Sequence, residues 1–288
     1  MDTPGPVSVI IGTYNDANII ESTLAAFAVQ SFQDFEVVVA DDGSDQDYSP
    51  VLAACASRFV HGIQHVTQPK RGFRKARVLN RAIIVSRFDA LIVSDMDCLP
   101  HRDFVRNHLA YVKSGVAITG RRTHVSRDVV PSPEKILEGG LGFGPLSLIE
   151  FRFRGKARII EHGFVSPIFY ESRNRRLHGS NFSIFRRDLV AVNGWNEEFE
   201  GWGDEDSDLG VRLQHSGVGI RNLRNKVIQF HLLHDRLPKV NPHNEALFQR
   251  TRLEQTTRAR IGIAESNAAE FIVRRYGAAE CVSTTTNC

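Results

Sequence analysis

The first hundred residues are predicted to form a doubly wound α/β sheet, the core of a larger, mostly parallel α/β fold. Three observations predict it. Short β-rich runs alternate with stretches of helical periodicity. The runs are nearly continuous in apolar residues, as strands buried on both faces must be. Each stops at turn formers or acids instead of continuing. In order, Val7–Ile11 is a strand ended by the turn cluster Gly12 to Asp16. Ile19, Ile20, Thr23, Leu24 and Phe27 then recur at helical spacing. Phe35–Ala40 is a second strand, delivering Asp41, Asp42, Gly43 and Ser44 at its end. A helix around Tyr48 to Phe59, a strand around Gly62 to Val66, a helix around Ala76 to Val85 and a strand from Ala90 complete the alternation.

The chemistry gathers at the strand ends. Asp95 and Asp97 follow the apolar run Ala90–Val93, two residues apart, before Pro100 closes the turn. In an open parallel sheet ligands collect at this edge, and alternate extended residues send two carboxylates in different directions, so they can hold different parts of one ligand. A hard divalent cation on a diphosphate is the natural guest. An Asp-x-Asp taken alone more often only satisfies turn donors, so its weight depends on what surrounds it. The first strand ends in Thr13, Tyr14 and Asn15, and the second in Asp41 and Asp42. Either Asp can accept from an imide N–H or a ribose hydroxyl, and Tyr14 can lie against a flat base, which describes a nucleoside pocket. Between these acids lie Lys70, Arg71, Arg74, Lys75 and Arg77, running into a helix. Such a cluster suits phosphate oxygens, although a solvated basic face is the default for any charge run.

Further on, Gly139–Gly144 lacks a preceding strand and a following Lys-Ser/Thr, and Pro145 follows it, so it reads as a mobile loop. Phe151 to Arg154 alternates aromatic and cation as an edge strand would. Residues 150–189 hold nine Lys or Arg against four acids, which makes them the seat of the chain's excess positive charge. This basic, Phe-containing region suits an anionic lipid surface or an acceptor bearing phosphate or carboxylate, and a scattered solvated face equally. The second chemical centre runs from Gly194 to Leu213, with glycines on either side of Trp202 and a run of acids from Asp204 to Asp208 entering a helix. Capping accounts for Asp204 and can account for Asp208, which can also pair with Arg212, but it does not explain a Trp set directly ahead of so many carboxylates. After a short strand, His231 and His234 stand three apart, and imidazole suits Mn²⁺. From Asn241 the chain has helical periodicity, which Arg258 to Ala264 continues, and the end, Ser283–Cys288, reads as frayed.

Composition bounds the partners. The 288 residues are 42% hydrophobic and 24% charged, an ordinary globular balance, and a net charge of +3 is too small to demand a nucleic acid. No signal-like start or membrane-length apolar run is present. The expectation is therefore a cytoplasmic chain, with the basic region as the place for peripheral contact with the inner face of a membrane. Cys55, Cys98, Cys281 and Cys288 lack Cys-x-x-Cys spacing, so neither a zinc knuckle nor a disulfide framework is suggested.

Together, residues 9–15, the Ser31–Ser44 stretch, the basic Gly72 to Arg77 stretch and Ser94 to Asp97 resemble the nucleotide-sugar half of family 2 glycosyltransferases with the GT-A fold. The resemblance implies that Asp42 meets a uracil, Asp95 a ribose and Asp97 a metal, Mn²⁺ or Mg²⁺. Asn193-Gly-Trp, followed by Gly201-Trp-Gly-Asp-Glu-Asp206, resembles the acceptor half of β-1,4-galactosyltransferases. That likeness implies Asp206 as base, Glu205 as a sugar contact, Trp202 on a loop closing over the donor, and a metal-ligand His after the catalytic helix. Spacing slightly favours His234, with His231 close behind. Asp204 departs from the motif, which has Gly there. The implied organisation is a catalytic domain over 1–240, divided into a nucleotide-sugar half (1–100) and an acceptor half (101–240), with a helical C-terminal extension over 241–288. The implied reaction is an inverting, metal-dependent transfer from a UDP-sugar, Gal or GalNAc favoured, to a glycan acceptor that is lipid-linked or anionic. A sugar-nucleotide pyrophosphorylase and a glycan-binding module without transfer chemistry are the rival expectations. The first lacks its Gly-rich phosphate loop after the first strand, and the second has no need for both Asp97 and Asp206.

Overall fold

The computed structural model describes residues 5–158, 171–172, 175–234 and 241–277. Its strands are β1 (Val7–Thr13), β2 (Phe35–Asp41), β3 (Ile63–Thr67), β4 (Ala90–Asp95), β5 (Cys98–Pro100), β6 (Val116–Thr119), β7 (Arg122–Val125), β8 (Ala157–Arg158), β9 (Glu171–Ser172), β10 (Asn181–Phe185), β11 (Gly219–Leu223), β12 (Gln229–Leu232) and β13 (Ile272–Tyr276). Its helices are α1 (Ala17–Ala28), α2 (Ser49–Ala56), α3 (Lys75–Val85), α4 (Phe104–Leu109), α5 (Pro133–Gly139), α6 (Pro145–Phe153), α7 (Arg186–Ala191), α8 (Glu205–His215) and α9 (Pro242–Leu253).

The expected doubly wound sheet is present. Strands β3, β2, β1 and β4 are parallel neighbours in that order, and the sheet continues as mixed pairs through β10, β6, β11 and β9. Both faces are covered, which is why these strands lack polar alternation. Ile10, Val38 and Ala40 pack on one side against α3, Trp195 and Leu209. Val9, Ile11, Val37 and Val39 pack on the other against α1 and α2. A smaller sheet, ordered β5, β12, β7 and β8, carries a third cluster containing Phe143, Leu148 and Phe230.

Three expectations are corrected. Residues 151–153 are the last turn of α6, not an edge strand, because Leu148 and Phe151, three apart, face the same apolar cluster. Four residues of alternation cannot outweigh that packing. The stretch 258–264 does not continue a helix. Ala259 N–H donates to Val192 O (3.0 Å) and Ile263 N–H to Asn193 O (3.1 Å), and a Cβ on Gly262 would lie 2.0 Å from Asn193 O, so close docking replaces helical bonding. The C-terminal extension is helical at α9, but Ile272–Tyr276 forms β13, antiparallel to β3 at the sheet edge. There it supplies the ladder partners that β3 would otherwise lack. Ser283–Cys288, and residues 159–170 of the basic region, lie outside the described residues.

Helix α8 is fixed by a buried ion pair. Asp208 and Arg212, at 0% and 1% side-chain exposure, meet at 2.7 Å. Arg212 also donates to the carbonyls of Val192 and Gly194 (2.8 Å each), and Thr251 of α9 donates to Asp208 (2.6 Å). Removing one charge strands the other in a dry interior. Asp208→Ala is expected to destabilise the fold by about 3–5 kcal/mol, read as a lower urea midpoint. A midpoint unchanged from wild type would mean that the pair does not hold α8.

Candidate active site

The ends of β1, β2 and β4 are laced together by the main chain. Asp42 N–H donates to Thr13 O (3.0 Å) and Met96 N–H to Gly12 O (2.9 Å). Gly12 leaves room for the neighbouring strand end, since a Cβ there would lie 3.1 Å from Lys75 Cε and 3.2 Å from Asp95 Oδ1. Thr13 is buried, its hydroxyl bonded to Met96 Sδ (2.8 Å) and the Tyr48 hydroxyl (3.2 Å), so its side chain braces the edge. Tyr14 is 41% exposed, with Lys70 Nζ 5.9 Å from its ring centre. Asn15, at φ 55°, accepts from Asp45 N–H (2.9 Å) and donates its own N–H to Ser44 Oγ (2.7 Å).

The two adjacent acids at the end of β2, Asp41 and Asp42, separate in role. Asp41 is absorbed by the turn, accepting from Ser44 N–H (2.9 Å) and Ser44 Oγ (2.6 Å) and meeting His65 Nε2 at 3.2 Å. Asp42 turns toward the 68–74 segment, where it accepts from Gln68 Nε2 (2.5 Å) and Arg74 N–H (2.7 Å). Burial pushes the Asp42 carboxyl up.

Of the basic cluster, Lys75 reaches the centre, bonding Asp95 Oδ1 at 2.5 Å. Burial pulls its pKa down, but the charges of Asp95, Asp206 and Glu205 outweigh this and hold the ammonium well above its ordinary value. Arg71 lies on the exposed loop. Arg77, expected beside the phosphates, turns away: it pairs with Glu270 and Glu197 (3.6 Å) and lies 5.1 Å from the Phe271 ring centre. The reason is helical geometry, because Lys75 and Arg77, two apart on α3, project on different sides.

Asp97 lies among imidazoles. Its Oδ2 is 3.3 Å from His231 Nε2 and 3.2 Å from His234 Nε2, and its Oδ1 accepts from Cys98 Sγ at 3.3 Å. The β12–β5 register, with His231 opposite Cys98, makes this meeting possible across 134 residues of chain. Burial raises the Asp97 carboxyl, and hydrogen bonds from His231 and His234 outweigh it, holding it well below the carboxylate range. Burial pushes the Cys98 thiol well up, so it serves as a donor to Asp97. Asp97, Cys98 and His231 bring ligand atoms within 4.8 Å of one another, with His234 Nε2 also on Asp97, a donor set that fits a divalent metal ion. Both histidines reach Asp97, so the sequence's slight preference for His234 is not sharpened.

The acids that follow Trp202 are built on the first turn of α8. Asp206 Oδ1 accepts from the Trp195 indole N–H at 3.0 Å. Gly179 comes so close that a Cβ there would lie 1.9 Å from Asp206 Oδ2. Trp195 is held in turn by buried Asn80 of α3, which accepts from its N–H and donates to its C=O, both at 2.9 Å. One helix thus carries both the Asp95 counter-ion and the brace of the Asp206 partner. Glu205 Oε2 accepts from Gly203 N–H (3.0 Å), and burial with the adjacent Asp206 charge pushes its pKa up to about 7.

Trp202 is 40% exposed between Gly201 (φ 75°) and Gly203 (φ 121°). Asp204, the departure from the galactosyltransferase pattern, adopts φ 65°, a left-handed geometry that Asp tolerates better than most residues, so the backbone path survives without glycine. The loop is tethered. Asn244 of α9, fully buried, donates to Gly201 O (3.3 Å) and Gly203 O (2.9 Å), and Asn241 donates to Glu200 O (2.9 Å).

Sequence reasoning missed several neighbours. Arg122 lies deep beside Cys98, Asp95 and Asp97 and donates to Ser180 Oγ at 3.0 Å. His124 meets His231 edge to face with ring centres 4.9 Å apart. His178 sits next to Gly179, and burial with nearby Arg122 lowers its pKa to about 4. None has a local motif. The Asn193-Gly-Trp195 triplet was visible, but nothing local linked it to Asp206.

Residues 8–187 match the Glycosyl transferase family 2 profile, and residues 161–235 match the N-terminal domain of galactosyltransferase. Hyaluronan synthase of Pasteurella multocida is 28% identical over 227 residues, covering 73% of this chain and 23% of that protein. Chondroitin synthase of Escherichia coli is 26% identical over 320 residues, covering 98% and 44%. Validoxylamine A glucosyltransferase of Streptomyces hygroscopicus subsp. jinggangensis is 28% identical over 239 residues, covering 74% and 52%. The chain therefore spans between about a quarter and a half of these relatives. Among solved structures, S. aureus TarS superposes with a TM-score of 0.60 at 17% identity, covering 90% of this chain and 41% of that one. The mannosyltransferase PcManGT of Pyrobaculum calidifontis, solved with GDP-Man and Mn²⁺, gives 0.52 at 20% identity, covering 87% and 62%. The fold is of the GT-A type, and with well over half of its residues matched to the profile, the chain belongs to glycosyl transferase family 2.

Proposed function

We propose that this chain is an inverting, metal-dependent glycosyltransferase that moves a hexose or N-acetylhexosamine from a UDP-sugar to a hydroxyl of a glycan acceptor. The observation that carries the reading is the convergence of Asp95, Glu205 and Asp206 on the buried cation Lys75, with Asp97 alongside between the two histidines. Galactose or N-acetylgalactosamine is favoured by the match over residues 161–235 to a galactosyltransferase domain. The synthase relatives support polysaccharide assembly; in this reading the acceptor is anionic or lipid-linked and is met on the cytoplasmic side of a membrane. Family membership argues against the pyrophosphorylase alternative.

In this mechanism Tyr14 and Asp42 receive the base and Asp95 the ribose, while Arg71 and Lys75 face the diphosphate. Asp97 with His231 or His234 would hold a divalent ion, which when bound would supply Lewis-acid neutralisation of the leaving diphosphate. Trp202 covers the donor, and Glu205 accepts from or donates to an acceptor hydroxyl. Asp206 takes the proton of the attacking hydroxyl as its oxygen bonds to the anomeric carbon. The bond from that carbon to the diphosphate oxygen breaks with its electron pair leaving on UDP. One displacement inverts the centre.

Three measurements test this reading. UDP release from a panel of UDP-sugars should stop in EDTA and return with Mn²⁺, and Asp97→Ala should weaken Mn²⁺-dependent UDP binding; full turnover in chelator would remove the metal from the reaction. Asp206→Asn should lower transfer by roughly 10²- to 10⁴-fold, the scale of a lost general base, while UDP-sugar affinity in Mn²⁺ stays near wild type. If donor binding falls together with rate, Asp206 belongs to the donor site instead. Trp195→Phe keeps the ring packed on Phe182 but deletes the indole donor. It should lower kcat by about tenfold, as expected when a base loses its orienting bond, with Tm and donor affinity little changed. An unchanged kcat would show that Asp206 is oriented without Trp195.

A further inference from the structure

Helix α6 has two apolar sides. Inward, Leu148 is fully buried, and Phe151 meets Phe143 edge to face (5.6 Å), which meets Phe230 of β12 edge to face (4.9 Å). Outward, Leu146 is 83% exposed, Ile149 41% and Phe153 86%. Positions i, i+3 and i+7 share one helical face, so these three form a continuous apolar stripe in water. At 100° per residue, Arg152 and Arg154 fall on opposite flanks of that stripe, and Arg158 of β8 is exposed beyond the helix end. Glu150 pairs with Arg154 (2.9 Å) and Asp128 with Lys156 (2.6 Å), and Arg152 and Arg158 add positive charge beyond these pairs.

A lone exposed Leu needs no explanation, but an aligned stripe edged by guanidinium groups does. We propose that α6 is a membrane-docking helix whose Leu146, Ile149 and Phe153 enter the headgroup region of an anionic phospholipid bilayer. The flanking arginines then meet lipid phosphates while their aliphatic stems stay against the acyl boundary. A purely apolar protein partner would leave these flanking cations without a role, so the charge pattern favours the bilayer. No helix among the described residues is long and apolar enough to cross a membrane, so the contact is peripheral.

The placement connects to the site. Strand alternation turns Phe230 toward α6 and its neighbour His231 toward Asp97, so the docking helix lies behind the strand that carries the candidate metal ligand. A chain seated through α6 holds β12, and with it the candidate metal ligand His231, on the side facing the lipid surface. This purpose rests on the transferase reading above, whereas lipid binding itself does not.

Binding is therefore measured without donor, by co-sedimentation of the full chain with phosphatidylcholine vesicles and with vesicles that also contain phosphatidylglycerol. Wild type should sediment with the anionic vesicles, less so at high salt, and far less with the neutral ones. The double variant Leu146→Glu, Phe153→Glu changes two side chains that already face water, so the fold should survive, as unchanged Tm would show. It should lose at least about tenfold in partition, since two buried apolar groups are removed and two negative charges added. UDP release with a soluble acceptor should stay at the wild-type level. Failure of wild type to sediment with anionic vesicles, or equal sedimentation of the variant, overturns the proposal. It is also overturned if size-exclusion chromatography shows a wild-type oligomer that the variant dissolves, for then the stripe is a self-interface. If vesicles bind but no UDP-sugar is turned over, it is the transferase reading that fails.

Discussion

Gathering acids at one sheet edge is electrostatically expensive, and much of this molecule answers that constraint. Asp95, Asp97, Glu205 and Asp206 arrive from two distant parts of the chain, and each raises the proton affinity of its neighbours. The effect is visible at Glu205, pushed up to about 7, and at Asp95, raised by burial and by Asp97 against the pull of Lys75. Lys75 and Arg122 are the buried cations that make the cluster tolerable. Lys75 lies between the strand acids and the α8 acids, and Arg122 lies beneath Asp95, Asp97 and Cys98.

Rigid positioning follows from α3. It donates Lys75 to Asp95 at its first turn and, through Asn80, fixes both backbone polar groups of Trp195, whose indole meets Asp206. The placement of the Asp95 and Asp206 carboxylates relative to each other is thereby set by one helix and not by flexible loops. The C-terminal extension adds a second constraint. Asn244 ties the glycines flanking Trp202, Thr251 bonds Asp208, and Gly262 docks on Asn193 beside Trp195. Residues far from any motif therefore decide how the Trp202 loop and the Asp206 helix stand toward each other.

Errors in reading the chain share one cause. The Phe151 to Arg154 alternation was too short to distinguish a strand from the end of a helix, and contact with Phe143 and Phe230 decided it. The continuation of helix through 258–264 failed because its backbone groups found better partners on Val192 and Asn193. Ile272–Tyr276 became a strand because β3 offered an unpaired edge. In each case a contact distant in sequence overrode a weak local preference.

By itself the sequence determined the parallel strands, because burial on both faces demands continuous apolar runs, and it determined that Asp42, Asp95, Asp97 and Asp206 stand at element ends, because turns and helix starts are written in local residues. It could not say which cation serves which acid. Lys75 and Arg77 read alike along the chain, yet helical projection sends one to Asp95 and the other to Glu270. Nor could it bring His231 and His234 to Asp97, since that depends on the β12–β5 register, or foresee that Gly179 must lack a side chain beside Asp206. Pairings of this kind are decided by three-dimensional proximity, where the energy of a buried charge depends on its nearest opposite and not on its neighbours in the chain.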